Sequence, residues 1–426
     1  MEEEFEKVMP RKWKPGASFG SPISKVAALA ALLVLLMILV AGCGDKSSSS
    51  TSSSSGGGEE TTASTGSTEV AETGESEGGE PNLAIGKEGT PEEQLTSIKE
   101  ICGDKPTTVG LAWAFEGNAW RKLTRGMLEQ YAKECPNIEK VLVSNANLNS
   151  QKSISDINSM VAQGVNVLLV YPDFGPAVLP ALKAATAAGV KVVPFAVESK
   201  ALGGEVGTDY LDAVSENTEK EGETWANWMA EATGGKGKIV FIGGTTGNPT
   251  STSEFKGVQK VIAEHPEMEI LGDKIYWGQY DVAENQKVMA GLLTQYPEIN
   301  GVIDDYGGSA VGAIRAFISA GRPLVPFATA DQNNLACEYD KLKKTNPGFE
   351  LGTVSSRNWV IYPALRKGMA SYQGKSDEEP SIYDLPIIED STGKVSKQKP
   401  KCDPSLSPDA ILSSGLTPEQ IEEILG

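Results

Sequence analysis

From Thr107 onward, short apolar runs rich in β-branched residues alternate with stretches in which apolar residues recur every three to four positions. Residues 107–113, 140–144, 165–171 and 190–195 read as strands, and 120–134, 150–163 and 177–188 as helices. In 150–163, Ile154, Ile157, Met160 and Val161 share one face. Gly164 and Gly189 each stand just before the next apolar run, where a left-handed residue commonly ends a helix. Strands this apolar are covered on both faces, which calls for a parallel sheet between helix layers.

The rhythm then restarts. Helices are expected at 210–233, 252–264, 282–295 and 309–320, and strands at 238–242, 270–276, 301–304, 324–328 and 350–354. Trp225, Trp228, Met229 and Ala232 fall at helical spacing and read as core. Two successive sets predict an α/β fold of two doubly wound, parallel-sheet lobes with a ligand cleft between them. The chain after Pro106 is long enough to bury a core in each.

Composition narrows the chemistry. A net charge of −19 argues against nucleic acid as a partner. The single histidine, His265, precedes a proline, so a histidine-based triad or metal site is not expected. There is no GxxxxGK[ST] loop, and Gly243-Gly244-Thr245-Thr246-Gly247 lacks GxGxxG spacing and reads as a strand-to-helix turn. No cofactor and no metal are implied. Asp304-Asp305 and Asp331 are the carboxylates a hydrolase would need, but nothing sets two of them about a substrate bond. An enzyme is therefore not expected.

The N-terminal segment addresses the rest of the chain. Arg11, Lys12, Lys14 and Lys25 precede the uncharged stretch 26–40, which ends in Val40-Ala41-Gly42-Cys43. That pattern is a lipoprotein signal peptide over 1–42 with Cys43 as the acylated first residue, anchored outside the cytoplasmic membrane. The competing reading is a retained membrane span, although 26–40 is short for one. Met9 is an alternative start. Residues 43–105 are expected to form a tether, Ser/Gly/Thr-rich over 47–79, with too little apolar surface to fold. Four cysteines remain: Cys102, Cys135, Cys337 and Cys402. Outside the cell an even count suggests disulfides, with three connectivities. The pairing Cys102–Cys135 and Cys337–Cys402 is favoured, since each pair would staple a peripheral segment to a nearby helix.

Ligands of open α/β sheets sit beyond the carboxyl ends of the strands. The residues there are Phe115, Glu116, Asn118, Trp120 and Arg121 after the first strand, Asn147 after the second, Asp173 after the third and Glu198 after the fourth. The second set offers Tyr280, Asp305, Tyr306, Asp331, Asn333 and Arg357. Aromatic faces stack on the C–H faces of a sugar ring, while carboxylates, amides and guanidinium groups bond its hydroxyls. Together they are the candidate ligand site for a small polyhydroxylated solute.

Gly117-Asn118-Ala119-Trp120-Arg121, NSMVAQGVNVLLVYP at 158–172, AGVKVVP at 188–194, GKGKIVFIGG at 235–244 and GAIRA at 312–316 carry a resemblance. The chain resembles the type I solute-binding proteins of sugar ABC importers, in the ribose/galactose-binding branch, from about Thr107 to Lys394. The resemblance implies a three-crossing hinge, with lobe one at 106–209 plus a return after 357, and lobe two at 210–356 plus a late segment. It places the first aromatic platform on Phe115/Trp120, the second-lobe aromatic on Tyr280 and the polar contact on Asp305/Tyr306. The acidic contact falls on Asp331, and the hinge-side contact on Ser356/Arg357. Two departures stand out. Phe195-Ala196-Val197-Glu198 replaces the Asp-Arg that ribose-type members carry after strand four, and no arginine lies near 251–254. Arg121 or Arg357 would have to substitute. The implied function is a monomeric, lipid-anchored protein that binds a sugar or polyol by hinge closure and delivers it to an ABC permease. The alternative is a sensor that presents solute to a membrane receptor or kinase. A sugar-responsive repressor shares the fold but needs a DNA-binding head in place of a signal and tether. The binding domain is expected over 106–400. Residues 401–426 form an extension, helical at 418–425 and capped by Thr417, with no assigned role.

Overall fold

The computed structural model describes residues 81–93 and 97–426. Cys43, the signal segment and the Ser/Gly-rich stretch lie outside the described residues. Among the described residues, no helix is long and apolar enough to cross a membrane.

Lobe one is built on four parallel strands, β1 (Thr107–Trp113), β2 (Ile138–Asn145), β3 (Val167–Val170) and β4 (Lys191–Pro194), in the order β2-β1-β3-β4. Lobe two holds β5 (Lys236–Gly243), β6 (Glu267–Trp277), β7 (Gly301–Asp304), β8 (Phe327–Ala330), β9 (Leu351–Val354) and β10 (Glu389–Asp390), in the order β6-β5-β7-β8-β9-β10. All pairings there are parallel except the last, where β10 runs against β9. Each sheet flanks its first strand with its second and third, so each has a switch point where the strand order reverses: β1/β3 in one, β5/β7 in the other. The crevice beyond such a point is where doubly wound sheets hold ligands. The strands β3, β7, β8 and β9 are buried along their whole length, as sheets covered by helices on both faces must be.

The lobes meet at a small third sheet in which Ile382–Tyr383 lies between Glu88–Gly89 and Ser215–Glu216, all parallel. The chain passes between lobes through Ser215–Glu216, through the loop after β9, and through Ile382–Tyr383 on its way to β10. The helix expected from 210 therefore starts only at Thr218. Val214 and Ser215 spend their N–H groups on Pro194 and Ser381 carbonyls, which keeps the backbone extended until the Asn217 side chain caps the helix by accepting from Lys220 N–H. The packed chain also begins earlier than 106. Glu88–Gly89 joins the hinge sheet, and Cys102 is bonded to Cys135 in lobe one. Helices Asn333–Leu342 and Ile361–Gln373 occupy stretches for which the sequence suggested no element. Trp225, Trp228 and Met229 are fully buried, and Ala232 packs against the same core.

Two glycines set the packing of lobe two. Helices Thr218–Thr233 and Pro249–Ile262 cross in backbone contact. A Cβ on Gly222 would stand 1.9 Å from the Glu254 carbonyl oxygen, and one on Gly257 would stand 1.9 Å from that of Glu219. Any larger residue at either position would push the helices apart. The close crossing brings Glu221 and Glu254 side by side.

Candidate functional site

A small cavity lies between the two switch points. Asn118, Trp120, Arg121, Tyr171 and Ala196 line it from lobe one, Tyr280, Asp305 and Tyr306 from lobe two, and Arg357 from the second crossing. Three of the nine, Ala196 (φ 52°), Tyr280 (φ 54°) and Arg357 (φ 47°), hold left-handed backbone without being glycine. Such conformations cost on the order of 1–3 kcal/mol each and gather at functional sites.

The lobe-one wall grows from the start of helix Ala119–Ala132. Asn118 caps it by accepting from Arg121 N–H (2.9 Å), which sets Trp120 and Arg121 in the first turn. Trp120 stacks on Phe195 (6.4 Å, 7°), tilts against Tyr171 (5.7 Å), and donates its indole N–H to the Ser356 carbonyl at 2.6 Å. Arg121 donates through Nη2 to Asp173 Oδ1 (2.6 Å), and its guanidinium lies 4.5 Å from the Phe115 ring centre and 4.2 Å from that of Tyr171. Asp173 also accepts from Ala114 N–H (2.9 Å). Arg121 Nη1 is buried without a hydrogen-bond partner in the protein, and leaving such a donor unmet costs about 1–3 kcal/mol. Burial raises the Asp173 carboxyl, and Arg121 counters it.

The lobe-two wall is more acidic. Asp305 accepts from Gly244 N–H (3.0 Å) and from the Ser251 hydroxyl. Burial lifts its carboxyl to about 6, against the pull of Ser251 and Arg357. Asp304, one residue back, accepts from Asn285 Nδ2 (2.7 Å) and is pushed to about 8, first by burial and then by Asp305. Tyr280 lies on Gly244, where a Cβ would fall 1.9 Å from its ring, and meets Tyr306 edge-on at 6.0 Å. Burial, then Asp305, drives the Tyr280 phenol well up. The Tyr280 and Tyr171 hydroxyls face each other across the cleft at 3.5 Å.

Arg357 anchors the floor. Its Nε donates to Glu216 (2.7 Å) and its Nη2 to Glu254 (3.0 Å), and Nη1 lies 3.4 Å from Glu221. All three carboxylates are fully buried and converge within 4.8 Å. That is a spacing a hard cation could use, but the guanidinium already sits among them as the counter-ion. Burial pushes the Glu221 and Glu254 carboxyls well above the usual range, and repulsion from Asp305 and Glu216 adds to it against the pull of Arg357. Burial alone would disfavour charged Arg357, but Glu221, Glu216 and Glu254 outweigh it and hold the guanidinium protonated.

Of the expected site residues, Asn118, Trp120, Arg121, Tyr280, Asp305, Tyr306 and Arg357 line the cavity, with Phe115 and Asp173 directly behind Arg121. The others serve elsewhere. Glu116 pairs with Arg125 (3.1 Å) at the surface, and Asn147 is exposed in a turn. Glu198 caps helix Thr218–Thr233 by accepting from Thr218 and pairs with Lys200 (3.0 Å). Asp331 and Asn333 hold the C-terminal segment. Sequence reasoning missed Tyr171 and Ala196 in the lining, and Glu216, Glu221 and Glu254 behind it. A signal was present for two of these. Glu221 lies four and eight positions before Trp225 and Met229, and Glu254 four and eight before Val258 and Ile262. A carboxylate in phase with an apolar stripe faces the core.

Comparison with known proteins agrees with this geometry. The profile of a periplasmic binding protein domain matches residues 109–342, more than half of the chain. Over 266 residues the chain is 28% identical to a xylitol-binding protein of Mycolicibacterium smegmatis, spanning 61% of this chain and 71% of that protein. Over 221 residues it is 26% identical to a ribose import binding protein of Bacillus subtilis, spanning 52% and 68%. A solved ABC transporter solute binding protein from Thermobispora bispora shares the fold with a TM-score of 0.60 at 23% identity, over 74% of this chain and 94% of that one.

Proposed function

Since the chain belongs to the periplasmic binding protein family, a family of solute binders and not of enzymes, we propose that it captures a sugar or related polyol outside the cytoplasmic membrane and delivers it to an ABC permease. The observation that carries this reading is the convergence of aromatic and polar side chains from both lobes and the crossing loop on one cavity. Trp120, Tyr171, Tyr280 and Tyr306 offer stacking faces, while Arg121 Nη1 and the Asp305 carboxylate offer a donor and an acceptor for hydroxyl groups. Relatives named for xylitol and ribose support the same class.

The mechanism is lobe closure. The cavity between the walls is small, ≈ 30 Å³, room for a few water molecules. A solute of sugar size enters when the lobes part, and contacts from both walls then favour the closed state. The permease reads the closed lobes, and Cys43 supplies the lipid anchor that keeps the protein near it. Isothermal titration with xylitol, ribose, xylose, galactose and myo-inositol tests the ligand class. Saturable 1:1 binding to at least one is expected; no binding to any of them, together with binding to an amino acid or nucleoside, overturns the reading. Mass analysis of the membrane-extracted N-terminal peptide tests the anchor, with a diacylglyceryl adduct on Cys43 expected.

A further inference from the structure

The C-terminal segment is bound to both lobes, by a route outside the hinge. On lobe two, Cys402 is disulfide-bonded to Cys337 in helix Asn333–Leu342. Asn333, at the start of that helix, holds the residues that follow. Its Nδ2 donates to the Asp403 and Ser407 carbonyls (2.8 and 3.1 Å), its Oδ1 accepts from Asp403 N–H (2.8 Å), and its own N–H donates to the Ala410 carbonyl (2.9 Å). The segment then runs past the second crossing. Ser413 donates from Oγ and N–H to the two oxygens of Asp331 (2.6 and 3.0 Å), and its Oγ lies 3.1 Å from Ser356 N–H.

Beyond Gly415 the segment reaches lobe one. Helix Pro418–Leu425, closed by a capping box between Thr417 and Gln420, lies on helix Ala119–Ala132. Ile421 is buried, and the Ile424 side chain fills the space over Gly126, where a Cβ would come within 2.6 Å of it. The first turn of that lobe-one helix carries Trp120 and Arg121. Trp120 donates to the carbonyl of Ser356, and the Ser356 N–H is held by Asp331 (2.7 Å) and Ser413. The segment thus braces the helix that bears one cleft wall and the loop that presents Arg357.

We propose that residues 402–426 form a strap that ties the lobes together and biases the empty protein toward closure, with Ser413 a positioning residue for the Ser355–Asn358 loop. One end is fixed covalently to lobe two. When the lobes part, the other end must either leave lobe one, exposing Ile421 and Ile424, or stop the motion where the slack of residues 403–417 runs out. The strap therefore adds its apolar contact to the closed state, and the differential between states is what shifts the population. The same network explains why Asp331 is unavailable to a solute: its oxygens already serve Ser356 and Ser413.

The test needs no solute, so its outcome is separate from that of the ligand titrations. Donor and acceptor dyes are placed on non-natural residues at Lys140 in lobe one and Lys287 in lobe two, both exposed, in the full chain with its disulfides intact. Single-molecule transfer efficiency is compared among the intact chain, a chain ended after Gly415, and Ile424→Ala. Both variants should show at least a twofold larger open population, with unchanged far-ultraviolet circular dichroism. Ser413→Ala should widen the distance distribution without detaching the helix. Equal distributions in folded Ile424→Ala and intact chains overturn the strap. Should truncation unfold the chain, Ile424→Ala and Ser413→Ala decide alone.

Discussion

The two walls of the cleft balance charge in opposite ways. In lobe one a single guanidinium, Arg121, meets a single carboxylate, Asp173, inside a sleeve of aromatic rings. At the lobe-two side and the crossing, Arg357 faces Glu216, Glu221 and Glu254, with Asp305 close by. The first arrangement is neutral and rigid, and it leaves one donor for a solute. The second carries more carboxylates than cations, so it is stable only while protons or Arg357 offset the excess. One wall is preorganised by stacking and the other by a charge network that also joins the crossing segments, since Glu216 and Arg357 lie on two different crossings.

The contrast is broken most severely at Arg357. Arg357→Ala strands three buried carboxylates and should cost about 3–5 kcal/mol of stability, read as a lower urea midpoint. Replacing Glu221 by Gln in that background should recover part of the loss, because it removes one stranded charge. Stability equal to the unaltered protein in Arg357→Ala would mean that the carboxylates are already neutral. On the other wall, Trp120→Ala should weaken the best solute of the titration panel by about 1–2 kcal/mol through lost stacking. Unchanged affinity would remove Trp120 from the site.

Much of the fold was legible because doubly wound lobes advertise themselves. Each buried strand is a short apolar run, and Gly164 and Gly189 mark helix ends with left-handed backbone. Helix Val282–Gln295 and strand Gly301–Asp304 begin and end where the sequence placed them. The hinge was less legible. Residues 210–217 have an apolar spacing that suits a helix, yet hydrogen bonds from Leu211, Val214 and Ser215 to the Val192, Pro194 and Ser381 carbonyls, distant in sequence, hold them out of one. Strand ends led directly to Trp120, Tyr280 and Asp305. They also suggested Asp331 and Asn333, because nothing local reveals that a segment some 80 residues later will occupy those side chains. Arg357 was visible as a strand-end residue, but of its three carboxylates Glu221 and Glu254 are brought together by the Gly222/Gly257 helix crossing, and Glu216 comes from the hinge sheet.

The acidic wall also gives a larger dependence on pH than the other wall, where Arg121 limits the rise of the Asp173 carboxyl. Asp305 and Asp304 titrate near 6 and 8 in the folded protein and near 3.9 when unfolded. Between those limits the folded state binds more protons than the unfolded one, so stability falls as pH rises. Their contribution is fully favourable below about pH 4 and is lost by about pH 8. Glu221 and Glu254 are displaced in the same direction. Urea unfolding from pH 5 to 8 should show this decline as a midpoint that falls steadily with rising pH. Asp305→Asn should lessen the slope below about pH 6 only, and Asp304→Asn should lessen it all the way to about pH 8. A rise in stability across this range would contradict the charge excess.

The smallest effect belongs to Glu116, beside the neutral wall but outside the cavity. It pairs with Arg125, whose side chain is 43% exposed, and exposed pairs of this kind contribute about 0–1 kcal/mol. Glu116→Gln should change stability by less than about 0.5 kcal/mol, and solute affinity by no more than the error of titration. The effect on stability should shrink further in 0.5 M salt, where screening removes most of an exposed pair's attraction. If Glu116→Gln instead weakens the solute tenfold, the loop at 114–118 closes further over the bound solute than the packed arrangement shows. The lobe-one wall would then carry a charged contact of its own, and its contrast with lobe two would narrow.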